Sequence, residues 1–287
     1  MAVQRAVIGW PRWTASATFT GGSWSATYPA ANLGTLPLAR VARSTNLTAS
    51  NTKFRATLSA QRGVRCMALV RHNLSITATY RVRVWSDAGA TVSTWDSGTL
   101  PVWAAVYPPD TLEWEADNWW SGTPLADDLA GSTWTLPIWI GSLKLARVID
   151  VDIVDTANTA GYIEIGLFEI SQGWQVSTNP DFGASFGHRF RSQEVEALGG
   201  TKYFERRDKP RVWRGQISAL DRDEALANGF EHLRQADVDT PFLWFPYPGE
   251  PVHWVRTVFL ARNVAPGLLA YSSPGREALP MSFEEVL

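Results

Sequence analysis

Cysteine is almost missing: Cys66 stands alone. One thiol excludes an internal disulfide framework and any zinc site built from several thiolates. Histidine is scarce at four residues, His72, His188, His232 and His253, and none sits in a His-Glu-x-x-His spacing. Glycine-rich phosphate loops and dinucleotide fingerprints are absent as well, so no cofactor is expected. No run approaches the roughly 18 uninterrupted apolar residues of a membrane helix. Residues 102–107 are among the longest, and prolines 101 and 108 bound them. The first dozen residues hold Arg5 and Pro11 but no sustained apolar stretch, which predicts a cytoplasmic start and no membrane insertion. Excess positive charge is lacking too: the net charge is -2, which argues against nucleic acid as a partner.

What is present points to β structure. The 287 residues suit two domains, and 45% hydrophobic content supports a packed core. Fifteen tryptophans, 22 glycines and 17 prolines favour short strands and turns. Charge is laid out unevenly. Residues 1–85 carry eleven Lys or Arg and no acid, whereas residues 87–169 carry thirteen acids and only Lys144 and Arg147. Early and late strands lying side by side would set these opposite charges across from one another; a merely solvated surface is the alternative. Beyond residue 176 only three tryptophans remain and charge becomes dense. The turn-rich residues 177–183 therefore read as a joint between a domain 1–176 and a domain 181–287.

Alternation marks the strands. Thr79-Tyr-Arg-Val-Arg-Val-Trp85 sets Tyr80, Val82 and Val84 against Arg81, Arg83 and Trp85. Residues 53–58, 65–70, 143–149, 150–154, 162–165 and 167–170 read as further short strands, which predicts a β-sandwich or jelly roll. Residues 99–139, with six tryptophans and prolines at 101, 108, 109, 124 and 137, read as loops and edge strands. In the second domain one helix is predicted, capped by Asp221 or Ser218. Glu224 would complete a capping box, Leu226, Phe230 and Leu233 would line the buried face, and Pro241 would end the pattern. Strands over 211–217, 242–245 and 253–260 would flank it.

Catalytic constellations are thin, and the chain is read as a non-enzyme. Cys66 lies in an apolar strand and reads as a small buried hydrophobe. Glu113, Glu115 and Asp117 alternate through an aromatic stretch; a glycosidase needs two carboxylates flanking the sugar, and a solvated strand edge is the preferred reading. Trp114, Trp119 and Trp120, with Asp117 or Asn118 as polar contacts, form a candidate platform for a host surface glycan. The same rings could instead close a subunit interface.

Gly63-Val-Arg-Cys-Met-Ala-Leu-Val-Arg-His-Asn-Leu-Ser75, followed by the strand from Thr79, resembles the galactose-binding-like β-sandwich of minor tail proteins in long-tailed phages and prophages, with Arg71 where that pattern has glycine. Leu145-Ala-Arg-Val-Ile-Asp-Val-Asp152 and Gly161-Tyr-Ile-Glu-Ile-Gly-Leu-Phe168 are similar to its closing strands. The order from Leu198 to Gly249 resembles the barrel-like domain of distal tail proteins. The resemblance implies a mainly β chain, a galactose-binding-like sandwich followed by a small β-barrel-like domain with one helix. It also implies a structural role at the tail tip or baseplate, located in the virion after assembly in the host cytoplasm. A ring of six or three copies is implied, with tail tube, tape-measure and hub proteins as partners. Arg206, Arg207 and Lys209, in a mixed-charge stretch, are the candidate ring contacts.

Overall fold

The structure is a computed structural model describing every residue except 1–4, 108, 109, 111, 126, 130–132 and 266; Pro108 and Pro109 thus lie outside the described residues. The chain divides into two compact units. One is Met1–Gln175 with Leu243–Val258, the other Val176–Phe242 with Phe259–Leu287. Residues 243–258, read from sequence as part of the later domain, fall in the first unit. Among the described residues no helix is long and apolar enough to cross a membrane.

The strands of the first unit are β1 (Val7–Gly9), β2 (Ala17–Thr20), β3 (Ala42–Arg43), β4 (Phe54–His72), β5 (Thr79–Trp85), β6 (Ser93–Asp96), β7 (Leu100–Pro101), β8 (Thr135–Val154), β9 (Glu164–Ser171) and β10 (Trp174–Gln175). Their main order is β3-β9-β4-β8-β5-β6, with β2 on β4 and β7 on β5. Two strands hold this together. β4 and β8 are 19 and 20 residues long and pair along both of their halves. Their first and last parts belong to different layers: Phe54 pairs with Val151, while Leu69 pairs with Leu136 and Phe168. Fifteen residues of straight strand would separate positions 54 and 69 by about 50 Å. Yet the Phe54 and Phe168 rings meet at 5.1 Å, with Phe19 at 6.3 and 6.4 Å from them. The pair must fold over on itself, and it does so at irregularities between Thr57 and Arg62 and between Val64 and Cys66, as bulges permit. The result is a β-sandwich made by bent strands.

This differs from the sequence reading, which split β4 and β8 into shorter pieces. The exposed residues 59–62 at the fold-over look like a loop in a hydropathy pattern, although the strand runs on through them and its pairing with β8 resumes at Arg62. Pro137 also lies inside β8, paired with Ala68. In that half β8 is laddered to β4 alone, so the missing N–H faces a free edge. Residues 54–58 alternate in burial, and residues 66–70 are buried throughout, the signature of strand covered on both faces. Part of that cover is the short β10-β1-β15 ribbon, with β15 Phe242–Phe245; Trp139 of β8 meets Phe245 at 5.5 Å. Gly9 is required in β1, because a Cβ there would stand 2.7 Å from Leu243 Cβ.

Opposite charges do face one another across strands. Arg55 is the direct partner of Asp150 and binds it at 2.6 and 2.9 Å; Trp85 Nε1 donates to the same carboxylate at 2.9 Å. Arg83 reaches Asp152 and Arg81 reaches Asp96, each at 2.6 Å, and Arg43 pairs with Glu164. Tyr80, Val82 and Val84 are buried as the alternation predicts.

In the second unit, β11 (Ser185–His188), β14 (Arg211–Asp221), β16 (Phe259–Asn263), β17 (Ala270–Ser273) and β18 (Arg276–Glu285) form the order β16-β18-β14-β11, with β17 on β18. β12 (Gln193–Glu196) and β13 (Lys202–Glu205) make a separate hairpin. The mainly β class is observed, but the expected β-barrel-like domain is not: among the described residues no sheet closes on itself. Closure needs tilted strands in a staggered register whose first and last members pair, and here β11 ends the order after four residues.

The helical segment 222–235 begins at Asp221, whose side chain accepts from Asp223 N at 3.1 Å. Glu224 accepts from Ser177 N at 2.9 Å. Residues Ala225–Phe230 form a π-helical turn. Such a turn shifts the following side chains around the axis, so Ala225, Gly229 and His232 face inward while Leu226 and Phe230 are half exposed. That corrects the predicted buried face. Residues 253–260 are likewise not one strand: a short helix, Trp254–Thr257, precedes β16.

Candidate functional site

The tryptophan stretch forms turns, not a strand edge, from residue 112 to 121. Asn118 is the buried pin: its side-chain amide donates to Thr123 O at 2.9 Å, and its backbone carbonyl accepts from Gly122 N at 2.7 Å. Gly122 O in turn accepts from Val106 N and Tyr107 N. Gly122 has φ 62, and a Cβ there would lie 2.5 Å from Tyr107 O, so only glycine fits. Glu115 also adopts a positive φ, 67.

On this frame Trp119 is the hinge of a three-ring cluster. Trp114 packs on it at 4.7 Å and Trp120 at 4.5 Å, both edge-to-face, the geometry favoured by the ring quadrupole. The outer rings remain in solvent, Trp114 at 71% and Trp120 at 87% exposure. Asp117, Glu113 and Glu115 are exposed as well. The structure therefore brings Trp114, Trp119 and Trp120 together, leaves Asp117 at the surface, and turns Asn118 into scaffold.

The motif at residues 71–75 is scaffold too. Asn73 Nδ2 donates to Tyr162 O at 3.1 Å and its Oδ1 accepts from Glu164 N at 2.7 Å. Ser75 N and Asn158 Nδ2 both donate to Asp155 Oδ2 at 2.9 Å. Arg71 has φ 56, the left-handed conformation that explains why glycine suits that position. These polar groups clamp the loop between β4 and β5 to the chain around β9.

Three groups of a kind suited to nucleophilic or acid–base work, Cys66, His72 and His232, are held in inert forms. Burial pushes the Cys66 thiol up to about 12, and its sulfur lies 3.1 Å from Ser171 Oγ. Burial pushes His72, packed against Trp103, and His232, packed against Phe242, down to about 4. A base that weak is poorly matched to neutral pH. Among the described residues no group of three or more His, Cys, Asp or Glu could hold a metal ion.

The candidate ring contacts are exposed after β13. Arg207 binds Glu205 Oε1 at 2.9 Å, and Lys209 lies 5.3 Å from the Phe190 ring centre. Arg206 is exposed beside them.

No family model and no curated protein matches the chain, whereas solved structures do. The chain is similar to the family 32 CBM of C. perfringens NanJ in complex with galactose, at 15% identity and a TM-score of 0.36, over 57% of this chain and 98% of that one. It is similar to chitosan-binding module 1 of a chitosanase/glucanase from Paenibacillus sp. IK-5, at 14% identity and a TM-score of 0.36, over 56% and 98%. It is also similar to CpGH89 of Clostridium perfringens, at 11% identity and a TM-score of 0.33, over 55% of this chain but 14% of that one. The first two are binding modules, not catalytic domains. The virion, tail-tip, baseplate and homo-oligomeric ring reading drew on the resemblance of residues 63–75 and 145–168 to tail proteins, on the two-domain order, on the lack of a catalytic constellation and on the tryptophan-rich stretch. It implied a barrel-like second domain. The open sheet of the second unit contradicts the barrel-like domain that this reading implied, and the reading is set aside.

Proposed function

We propose that the first unit is a glycan-binding module, non-catalytic, with Trp114, Trp119 and Trp120 as its stacking platform and Asp117 as acceptor for sugar hydroxyls. One observation carries this reading: two indoles stand 71% and 87% exposed on a loop pinned by Asn118 and Gly122. Contiguous apolar surface held in solvent marks a contact site. A pyranose ring offers an apolar C–H face with hydroxyls around its rim, which suits an indole face beside a carboxylate. Rings fixed before the ligand arrives lose little conformational freedom on binding.

Glycan-array screening followed by calorimetric titration of the best oligosaccharide tests the proposal. Trp120→Ala and Trp114→Ala should each weaken binding about tenfold or more, with the melting temperature unchanged. An array without binders overturns it, as does binding that survives the double substitution. Burial of the rings by a protein partner, read from tryptophan quenching, would assign the surface to protein contact instead.

A further inference from the structure

The second unit carries a groove that the glycan reading does not use. Alternation along β14 buries Trp213 and Ile217 on one face and leaves Val212, Arg214 and Gln216 on the other. Register places Ser185 of β11 and Ser282 of β18 directly opposite Arg214, one on each side. Directly opposed residues share a face, so a hydroxyl, a guanidinium and a hydroxyl form a row across three adjacent strands. With neighbouring strands about 4.8 Å apart, that row spans about 10 Å.

The next rung is Gly187, Val212 and Glu284. Nothing lies within 4 Å of where a Cβ on Gly187 would stand, so this side stays open. Glu284 is buried, its side chain 3% exposed, and two arginines hold it: Arg189 Nη1 at 2.9 Å and Arg262 Nη2 at 3.5 Å. Ser185, Arg189, Arg214, Ser282 and Glu284 line one cavity of about 620 Å³. Two guanidiniums thus hold one carboxylate, and a third, that of Arg214, lines the same cavity. By contrast, the Arg214 guanidinium and the Ser185 and Ser282 hydroxyls make no hydrogen bond or ion pair among the described residues.

Uncompensated positive charge beside two free hydroxyls in a concave site is complementary to an oxyanion. We propose that this groove binds the sulfate, phosphate or carboxylate group of a small ligand. Arg214 grips two of its oxygens, as the planar guanidinium fork is shaped to do. Ser185 and Ser282 donate to those oxygens from either side, and Arg189 supplies the second positive charge. The cavity falls in the size range of small-molecule sites, so the anionic group is one end of a larger ligand.

Titration of the full chain with sodium sulfate, sodium phosphate and sodium acetate at constant ionic strength, followed through the Arg214 Nε–Hε resonance and the melting temperature, tests this and separates the three oxyanions. At least one should give a saturable response. Arg214→Gln should weaken it about tenfold, and Arg214→Lys should restore only part, because it returns charge without the fork. Ser185→Ala combined with Ser282→Ala should weaken it severalfold. Trp120→Ala should change nothing, which keeps this site's success or failure apart from that of the tryptophan platform. No saturable response to any of the three anions overturns the proposal. So does a response that Arg214→Gln leaves intact, since the anion would then sit elsewhere, for example near Arg206.

Discussion

The two units treat their surfaces in opposite ways. The first lines a sheet face with cross-strand ion pairs: Arg55 with Asp150, Arg83 with Asp152, Arg81 with Asp96. Its most exposed rings, Trp114 and Trp120, are gathered in one loop. The second unit is about half the size, 96 residues (67 and 29) against 191 (175 and 16). It nevertheless leaves thirteen large apolar side chains exposed among the described residues, against eleven in the first. Phe190, Val195, Leu198, Tyr203 and Phe204 lie on or beside the β12–β13 hairpin. A two-stranded ribbon with no buried face draws little stability from itself. One unit gathers its two most exposed indoles in a single loop, and the other sets several exposed rings along a hairpin.

Both units share one device, and disabling it gives the largest expected effect. Each buries an Arg–Glu pair: Arg12 with Glu169, and Arg211 with Glu285. Glu169 also accepts from Thr14 Oγ1 at 3.0 Å, and Glu285 from Arg211 N at 2.9 Å. Glu169→Ala and Glu285→Ala should each cost about 3–5 kcal/mol in urea unfolding, because each strands a buried arginine. A loss below about 1 kcal/mol at either position would show that water reaches that pair and would separate the units.

Acid comes next. His72 lies in the first unit and His232 in the second, both held neutral to about 4. An unfolded chain takes up these protons below about pH 6.5 and the folded chain does not, so stability falls as pH drops from about 6.5 to 4. The loss approaches about 3 kcal/mol for each histidine. Replacing either with Gln should flatten its share of the pH dependence in denaturant melts at pH 7 and 4.5. An unchanged profile would mean that the histidine is already solvated.

Gly122→Ala sharpens the contrast at the tryptophan loop. The clash with Tyr107 O should displace the three rings, shift tryptophan emission and abolish the glycan binding proposed for them, while costing the sandwich about 1–3 kcal/mol or less. Unchanged emission would show that the loop absorbs the methyl group. The smallest effect is expected for the hairpin. Replacing residues 193–205 with a short polar linker should move the melting temperature little, since exposed positions contribute within about 0.5 kcal/mol; a large drop would reveal packing on that ribbon.

Sequence carried the first unit further than the second. Alternation in residues 79–85 marked the buried face, and the basic and acidic halves of 1–169 anticipated the ion pairs, because strand period and charge are local properties. The Trp114–Trp120 cluster was legible for the same reason. Hidden from sequence was anything decided by distant chain: the fold-over of β4 and β8, the pairing of residues 243–245 with Val7–Gly9, and the row Ser185–Arg214–Ser282. The helix face was misjudged because a π-turn adds a residue that periodicity does not count. Asn118 read as a contact because burial of a loop amide leaves no mark in composition.

Where two separate sheets are stacked, the layer between them is a plane of weakness along which they can slide or part. Here β4 and β8 run unbroken through both layers, so opening that plane means tearing the same two ribbons of backbone hydrogen bonds. Amide protons at residues 54–57 and 66–70 should then exchange at one shared rate, as members of one opening unit. The exposed fold-over at residues 59–62 should exchange ahead of them, as a crease wears before the cloth on either side.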